Sequence, residues 1–185
     1  MRNGTTVNTT PFVSPAPSGP PRYDVIESPI GELLVTGDGK ALTGLYMLGA
    51  PGEQPAVGAD WIRDPEAFRD VAGQLRDYFA GELKEFDVPL APSGSAFQLA
   101  VWAELTRIPY GSTASYGDVA QALGKSPVAS RAVGAANGRN PISIIVPCHR
   151  VIGADGSLTG YGGGLDRKEH LLRLEGSVPE DSGLW

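Results

Sequence analysis

Residues 89–94 divide this chain of 185 residues into two stretches of different periodicity, and a single layer of secondary structure cannot serve both. Pro89, Pro92 and Gly94 supply the breaks, because proline cannot donate to a hydrogen-bond ladder and glycine leaves the backbone unrestrained. Before the break the sequence is strand-like. Tyr23-Asp24-Val25-Ile26 and Leu33-Leu34-Val35-Thr36 are separated by Pro29 and Gly31, and a third run over residues 41–47 follows the turn Gly37-Asp38-Gly39-Lys40. That spacing predicts an antiparallel meander. Residues 49–58 are Pro/Gly-rich loop, and Asp64-Pro65 then opens a helix with an acidic N-cap and a proline in its first turn. Phe68, Val71, Ala72, Leu75, Tyr78 and Phe79 recur at helical spacing up to Gly81, which marks them as core.

After the break the period is helical. Ser95 and Gln98 form a capping box, with Phe97, Val101 and Leu105 on one face, and Ile108-Pro109-Tyr110-Gly111 closes that helix. Ser115 with Asp118 caps a second, carrying Val119, Ala122 and Leu123 up to Gly124. Ser126-Pro127 starts a third, over residues 127–137, ending at Gly138. Two short helices joined by a glycine-containing turn fit a helix-turn-helix, whose second helix lies against DNA. That second helix carries Ser130, Arg131 and Arg139 among Ala129, Ala132, Gly134, Ala135 and Ala136, so its backbone can approach another surface closely.

The run Ile142-Ser143-Ile144-Ile145-Val146 reads as a buried strand stopped by Pro147. Residues 156–164 are dense in glycine and read as a mobile or closely approached loop. Asp166 with Glu169 caps a last helix bearing Leu171, Leu172 and Leu174, which Glu175-Gly176 ends. Glu175 stands where a helix macrodipole disfavours an acid, a placement that invites a functional explanation. The fold class expected is an α/β N-terminal domain over residues 23–91 and a mainly α C-terminal domain over residues 95–176. Residues 1–22, with five prolines and little apolar content, form a disordered leader in this reading, and residues 177–185 a tail. Both are expected to be dispensable.

A single cysteine excludes an internal disulfide and a multi-cysteine zinc site, so no metal and no cofactor are expected. No apolar run approaches the roughly 20 residues of a membrane helix, and the N-terminus lacks the layout of a signal peptide, which points to the cytoplasm. The net charge of −6 speaks against a nucleic-acid partner for the chain as a whole. Its distribution does not. Residues 95–176 hold eight bases (Arg107, Lys125, Arg131, Arg139, Arg150, Arg167, Lys168, Arg173) against six acids (Glu104, Asp118, Asp155, Asp166, Glu169, Glu175), a net of +2, which leaves −8 on the remainder. Any polyanion-facing surface therefore belongs to the C-terminal half.

The only cysteine, Cys148, lies beside one of only two histidines in Val146-Pro147-Cys148-His149-Arg150. A lone cysteine is usually an inert small apolar group in a core, but His149 and Arg150 supply the electropositive setting a reactive thiolate needs. The stretch from Phe97 to Gly176 resembles the O6-alkylguanine-DNA alkyltransferases, or methylated-DNA-protein-cysteine methyltransferases. The resemblance rests on Ile108-Pro109-Tyr110-Gly111, Ser115-Tyr116-Gly117, Arg131-Ala132-Val133-Gly134, Asn140-Pro141, Val146-Pro147-Cys148-His149-Arg150-Val151-Ile152, Gly160-Tyr161 and Glu175-Gly176, in the family's order and spacing. Residues 23–90 are similar, more weakly, to the family's α/β domain with a ribonuclease H-like core.

The resemblance implies direct reversal of DNA damage. An O6-alkylguanine, with O4-alkylthymine a second candidate, is flipped out of duplex DNA, and its alkyl group moves irreversibly to the protein in a single turnover. Cys148 is similar to the acceptor, with His149 and Glu175 as its activating pair and a water relaying the thiol proton. Tyr116 resembles the phenol that protonates guanine N3. Arg131 resembles a finger that fills the vacated stack, and Ser130, Ala132, Gly134 and Arg139 belong with it to the DNA-facing helix. Asn140 resembles a hinge that fixes the following turn, and it shares the base pocket with Val151, Tyr161 and Gly162. Some family members carry serine where this chain has Gly162, which leaves only backbone donors for guanine O6 here. The partner implied is duplex DNA bound by a monomer that could cluster along it. Two other functions compete: a helix-turn-helix regulator in which Cys148 is structural, and a cysteine hydrolase using Cys148, His149 and Glu175.

Overall fold

A computed structural model describes residues 11–14, 19–52 and 54–178 of the chain. Strands β1 (Arg22–Ile26), β2 (Leu33–Gly37) and β3 (Leu42–Met47) form the expected antiparallel meander, with Val25 opposite Leu34 and Val35 opposite Leu45. A two-residue strand, β4 (Ile62–Arg63), adds parallel to β1 and makes the sheet mixed, in the order β3-β2-β1-β4. Every residue of β2 is buried, so both faces of the sheet's interior are covered. Asp64 caps the next segment by accepting from Ala67 N at 3.1 Å. That segment begins as a 3₁₀ turn, Pro65–Phe68, and continues as α1 (Arg69–Phe79), which buries Val71, Leu75 and Tyr78.

Past residue 94 the elements are mainly helical. Helix α2 (Ala96–Leu105) starts at a complete capping box between Ser95 and Gln98. It buries Val101, Trp102 and Leu105, and the Trp102 indole donates to Ala136 O at 2.8 Å. A second box, Ser115 with Asp118, opens α3 (Tyr116–Ala122). The third helix starts as a 3₁₀ turn, Pro127–Ala129, and becomes α4 (Ser130–Gly138). Short strands β5 (Ala114–Ser115) and β6 (Val151–Ile152) pair in parallel, and α5 (Leu165–Leu174) is the last element among the described residues. Among the described residues no helix is long and apolar enough to cross a membrane.

The two halves share one hydrophobic cluster that runs from Ile30 to Leu171. The free edge of β3 is where they join. Leu42 N donates to Pro89 O and Ala91 N to Leu42 O, both at 2.8 Å, and Leu45 N donates to Pro141 O at 2.8 Å. The edge strand is thus paired at Leu42 and Leu45, which covers part of an otherwise open edge and pins the segment leading to Cys148.

Four expectations need correction. Residues 142–146 are not a strand. Ile142 makes a single parallel bridge to Leu45, after which the chain turns back, with Val146 N donating to Ile142 O at 3.0 Å and Ile144 at φ 72°. The run is apolar because Ile142, Ile144 and Val146 are each at most 1% exposed, and a short buried apolar run does not reveal its backbone. Asp166 is not a cap: α5 is preceded by Gly164 at φ 96°, and Asp166 lies within the first turn. Most of the expected leader lies outside the described residues, but Phe12 bridges to Leu90 and Val13 N donates to Leu90 O at 2.8 Å, so this part is ordered. Val178, placed in the tail, is 8% exposed and packs with Leu158 and Leu172. A truncation at Gly176 would remove that contact.

Candidate active site

Cys148 opens a single 3₁₀ turn, Cys148–Arg150, directly after Pro147, and is 4% exposed. The turn is held from below by Asn140. Its side-chain oxygen accepts from Ile142 N at 3.0 Å and its amide donates to Val146 O at 2.8 Å. These bonds over-determine a loop that contains a β-branched residue at positive φ, a conformation that costs of order 1–3 kcal/mol.

Two of the three residues of the turn, His149 and Arg150, project their side chains toward one acceptor, Glu175. Its Oε1 lies 2.8 Å from His149 Nε2 and accepts from Tyr78 Oη at 2.7 Å and from an Arg150 terminal nitrogen at 2.9 Å. Its Oε2 accepts from Arg150 Nε at 2.9 Å. Arg150 completes its fork on Ile108 O at 2.7 Å. Burial raises the Glu175 carboxyl, but the hydrogen bonds and charges of His149 and Arg150 outweigh it and bring the pKa to about 2. The acid at the end of α5 is therefore a buried anion with four donors.

His149 is fully buried. Desolvation lowers its pKa against the pull of Glu175, so the ring is neutral at neutral pH and the carboxylate makes Nε2 the protonated nitrogen. Its Nδ1 is buried with no partner among the described residues. The thiol is pushed up by burial and drawn back by the Asn140 amide, the Lys168 ammonium and the Tyr161 hydroxyl. Lys168 is itself fully buried, donating to Val151 O at 2.6 Å and Thr159 O at 3.1 Å, and burial lowers its pKa to about 8.

A cavity of about 730 Å³ opens onto Cys148. One wall is the end of α4 and its exit, from Ala135 to Asn140, and the other is the glycine loop from Gly160 to Gly163. Tyr46, Met47, Ala50, Gly52 and Gln54 from the first half complete it. Gly52 N donates to Gly162 O at 2.9 Å, and a Cβ on Gly52 would stand 2.6 Å from that carbonyl, so only glycine permits the approach. Among the described residues, four buried side-chain polar atoms lack a partner, and three of them, Asn137 Oδ1, His149 Nδ1 and Tyr161 Oη, belong to residues around Cys148. Unpaired buried polar groups are uncommon and costly; two of these residues, Asn137 and Tyr161, line the cavity and His149 adjoins Cys148 in sequence, which marks a place that a polar ligand completes.

The expected site residues fall into three groups. Cys148, His149 and Glu175 converge, and Asn140, Tyr161 and Gly162 line the cavity. Val151 does not line it: it is fully buried in the pairing with Ala114. Tyr116 does not line it either: its ring is 3.6 Å from where a Cβ on Gly134 would be and its hydroxyl donates to Thr159 O at 3.3 Å. On α4, Arg131, Ala132 and, past the helix end, Arg139 are exposed, and among the described residues neither arginine forms an ion pair. The Ser130 hydroxyl is taken by Pro127 O at 2.7 Å.

Sequence reasoning missed Tyr78, Asn137 and Lys168. The helical stripe containing Tyr78 was rightly core, but its hydroxyl crosses to Glu175, 97 positions away. A signal did exist for Lys168: Lys168, Leu171, Leu172 and Glu175 share the i, i+3, i+4, i+7 face of one helix, so the two charges bounding that stripe are buried with it.

Comparison with known proteins follows this geometry. Residues 22–92 match the family described as 6-O-methylguanine DNA methyltransferase, ribonuclease-like domain, and residues 96–177 match 6-O-methylguanine DNA methyltransferase, DNA binding domain. The chain is 56% identical over 156 residues to the methylated-DNA-protein-cysteine methyltransferase of Methanosarcina acetivorans, spanning 84% of this chain and 98% of that one. It is 55% identical over 164 residues to the protein of the same name from Mycobacterium bovis, spanning 88% and 98%. The crystal structure of Mycobacterium tuberculosis OGT in complex with DNA matches with a TM-score of 0.78 at 54% identity, over 86% of this chain and 96% of that one.

Proposed function

This chain belongs to the 6-O-methylguanine DNA methyltransferase family, and on that premise we propose that it repairs alkylated DNA by direct reversal through the residues described above. A flipped O6-alkylguanine enters the cavity beside Cys148. The thiol proton passes through a water to His149 Nδ1, the sulfur attacks the alkyl carbon, and the carbon–O6 bond breaks as the thioether forms. The guanine leaves with its electron pair and takes a proton at N3 from Tyr116. One alkyl group consumes one protein.

The observation that carries this reading is the orphaned Nδ1 of a buried, neutral His149 whose other nitrogen is fixed by Glu175. A base adjacent to the acceptor and oriented by a third group is the pattern of an activated nucleophile. Arg150 and Tyr78 hold the carboxylate, and Lys168 favours the thiolate electrostatically. An alkyl thioether, unlike the acyl thioester of a cysteine hydrolase, is not cleaved by water, so this transfer ends after one turnover.

We read α3 and α4 as the family's helix-turn-helix and the N-terminal sheet as its ribonuclease-like domain, with residues 23–91 and 95–176 as functional units. Duplex DNA is the partner, met as a monomer by the exposed small-residue face of α4 with Arg131 and Arg139. Alanines and glycines cannot read base edges, which suits a lesion found in any sequence and disfavours a sequence-specific regulator. Incubation of the intact chain with O6-benzylguanine, followed by mass spectrometry of its peptides, tests the reading. One benzyl group on Cys148 per molecule is expected, and no adduct, or benzyl alcohol released over many turnovers, would overturn it.

Glu175→Gln tests the network. An amide stabilises an imidazolium less than a carboxylate does, so the pH at which transfer accelerates is expected to rise. The buried Arg150 would also be left without its anion, costing about 3–5 kcal/mol. In the unmutated chain the folded His149 pKa lies below its ordinary 6.5 and that of Glu175 below its ordinary 4.5. The unfolded chain therefore binds more protons as pH falls through those values, and stability declines from about pH 6.5 downward, most steeply between 4.5 and 2. An unchanged pH-rate profile in the variant would remove Glu175 from the activating pair.

A further inference from the structure

Asn137 is a buried polar residue beside Cys148 that the proposed chemistry leaves unused. It stands in the last turn of α4, 3% exposed, in the wall of the Cys148 cavity. Its Nδ2 donates to Cys148 O at 3.4 Å, which assigns the amide orientation, since the reverse would set two oxygens against each other. Its Oδ1 is buried without a donor. A core asparagine with only a structural duty would satisfy both ends. Water is one partner that could satisfy Oδ1; the base that enters the cavity is the other.

The chemistry of the base selects its matching group. In O6-alkylguanine the alkyl group fixes the ring without a proton at N1, so O6, N1, N3 and N7 are all acceptors. Within DNA the exocyclic amine on C2 is then the only N–H donor on the base. A buried, unpaired acceptor on a residue that lines the pocket can be met by that amine and by nothing else the base offers. O4-alkylthymine has no N–H at all once its O4 is alkylated, and would leave Oδ1 unpaired.

We propose that Asn137 reads the flipped base, its Oδ1 accepting from the guanine exocyclic amine while its Nδ2 ties that contact to the backbone of Cys148, and so sets a preference for O6-alkylguanine over O4-alkylthymine. The proposal rests on the alkyl-transfer reading above. A site that hydrogen-bonds a substrate group rejects the analogue lacking it far more strongly than a purely apolar pocket does. Asn137 is thereby a specificity residue placed on the same helix that carries Arg131.

The test compares oligonucleotides carrying O6-methylguanine with otherwise identical ones carrying O6-methylhypoxanthine, which lacks only the amine. Single-turnover rates of Cys148 methylation are measured for the intact chain and for Asn137→Leu, which keeps the volume and loses both polar ends. The cost of extruding each base belongs to the DNA and cancels when the two proteins' preferences are divided. The intact chain is expected to methylate about tenfold faster from the guanine, and Asn137→Leu to cut that preference three- to tenfold, with the loss falling on the guanine substrate. A general disturbance of the Cys148 turn would slow both substrates alike and leave the preference intact; that result overturns the proposal. So does equal reactivity of the two substrates with the intact chain, a measurement that needs no variant. Failure of both oligonucleotides to methylate Cys148 at all would instead sink the alkyl-transfer reading beneath it.

Discussion

In Cys148→Ala, no alkyl group is expected on the protein after incubation with O6-methylguanine DNA, while binding to the same lesion persists. The loss should be complete because the chain holds a single cysteine, so no second thiol lines the cavity. Binding should survive because none of the hydrogen bonds that hold His149, Glu175, Arg150 and Tyr78 together passes through the sulfur. The fold should survive too. Removing one buried sulfur is a smaller change than Ile→Val-type deletions, which cost about 0.5–1.5 kcal/mol, and it also removes a group whose ionised form burial disfavours. Gel-shift titration with lesion-bearing and plain duplexes, alongside peptide mass spectrometry, separates the outcomes. Transfer at the normal rate would show that the acceptor lies elsewhere; loss of lesion binding in step with transfer would show that the thiol holds DNA contacts that its burial gives no hint of.

The design around that thiol explains a tension in the electrostatics. Burial alone leaves Cys148 protonated and inert, which is useful for a protein that reacts once, since a free thiolate would be spent on stray electrophiles or oxidants. The groups that offset burial come from three directions: the Asn140 amide at the exit of α4, the Lys168 ammonium on α5 and the Tyr161 hydroxyl on the glycine loop, while Tyr78 on α1 helps to hold the Glu175 carboxylate that orients His149. The first half of the chain therefore reaches into the chemistry through Tyr78 and lines the cavity through residues 46–54. It is part of the site as well as its support.

How much of this could be read in the sequence depended on whether a residue's role leaves a local trace. Both capping boxes, at Ser95 and Ser115, are local chemistry and formed as expected. The adjacency of Cys148 and His149 is local too, and so is the anomaly of an acid at the end of α5. The path of residues 142–146 is not local. Its apolar content reports burial, while its turn is dictated by Asn140 and by the edge of β3. Tyr78 shows the same limit from the other side, because periodicity assigns a side chain to the core without saying what its hydroxyl meets there. Asn137 was passed over among the small residues of α4, since a polar residue at the buried end of a helix has no signature until the cavity beside it is known.

Arg131→Ala is expected to slow repair of O6-methylguanine in duplex DNA by about ten- to a hundredfold while leaving reaction with free O6-benzylguanine within about twofold of normal. Arg131 is exposed in the first turn of α4, on the face opposite buried Val133, Ala136 and Asn137. It takes no part in the hydrogen bonds around Glu175, so its loss should not reach the thiol. Extruding a base costs a few kcal/mol, and a side chain that fills the vacated stack recovers part of that cost only when there is a stack to fill. A free base presents none. If Arg131 merely contacted a phosphate, its removal would weaken binding about uniformly across sequences and shrink the salt slope by about one unit, with little further effect on transfer from bound DNA. Were it instead part of the active-site scaffold, both substrates would slow together. Stopped single-turnover assays on the two substrates, with duplex affinity measured at two salt concentrations, distinguish all three, and equal losses on duplex and free base would end the wedge assignment.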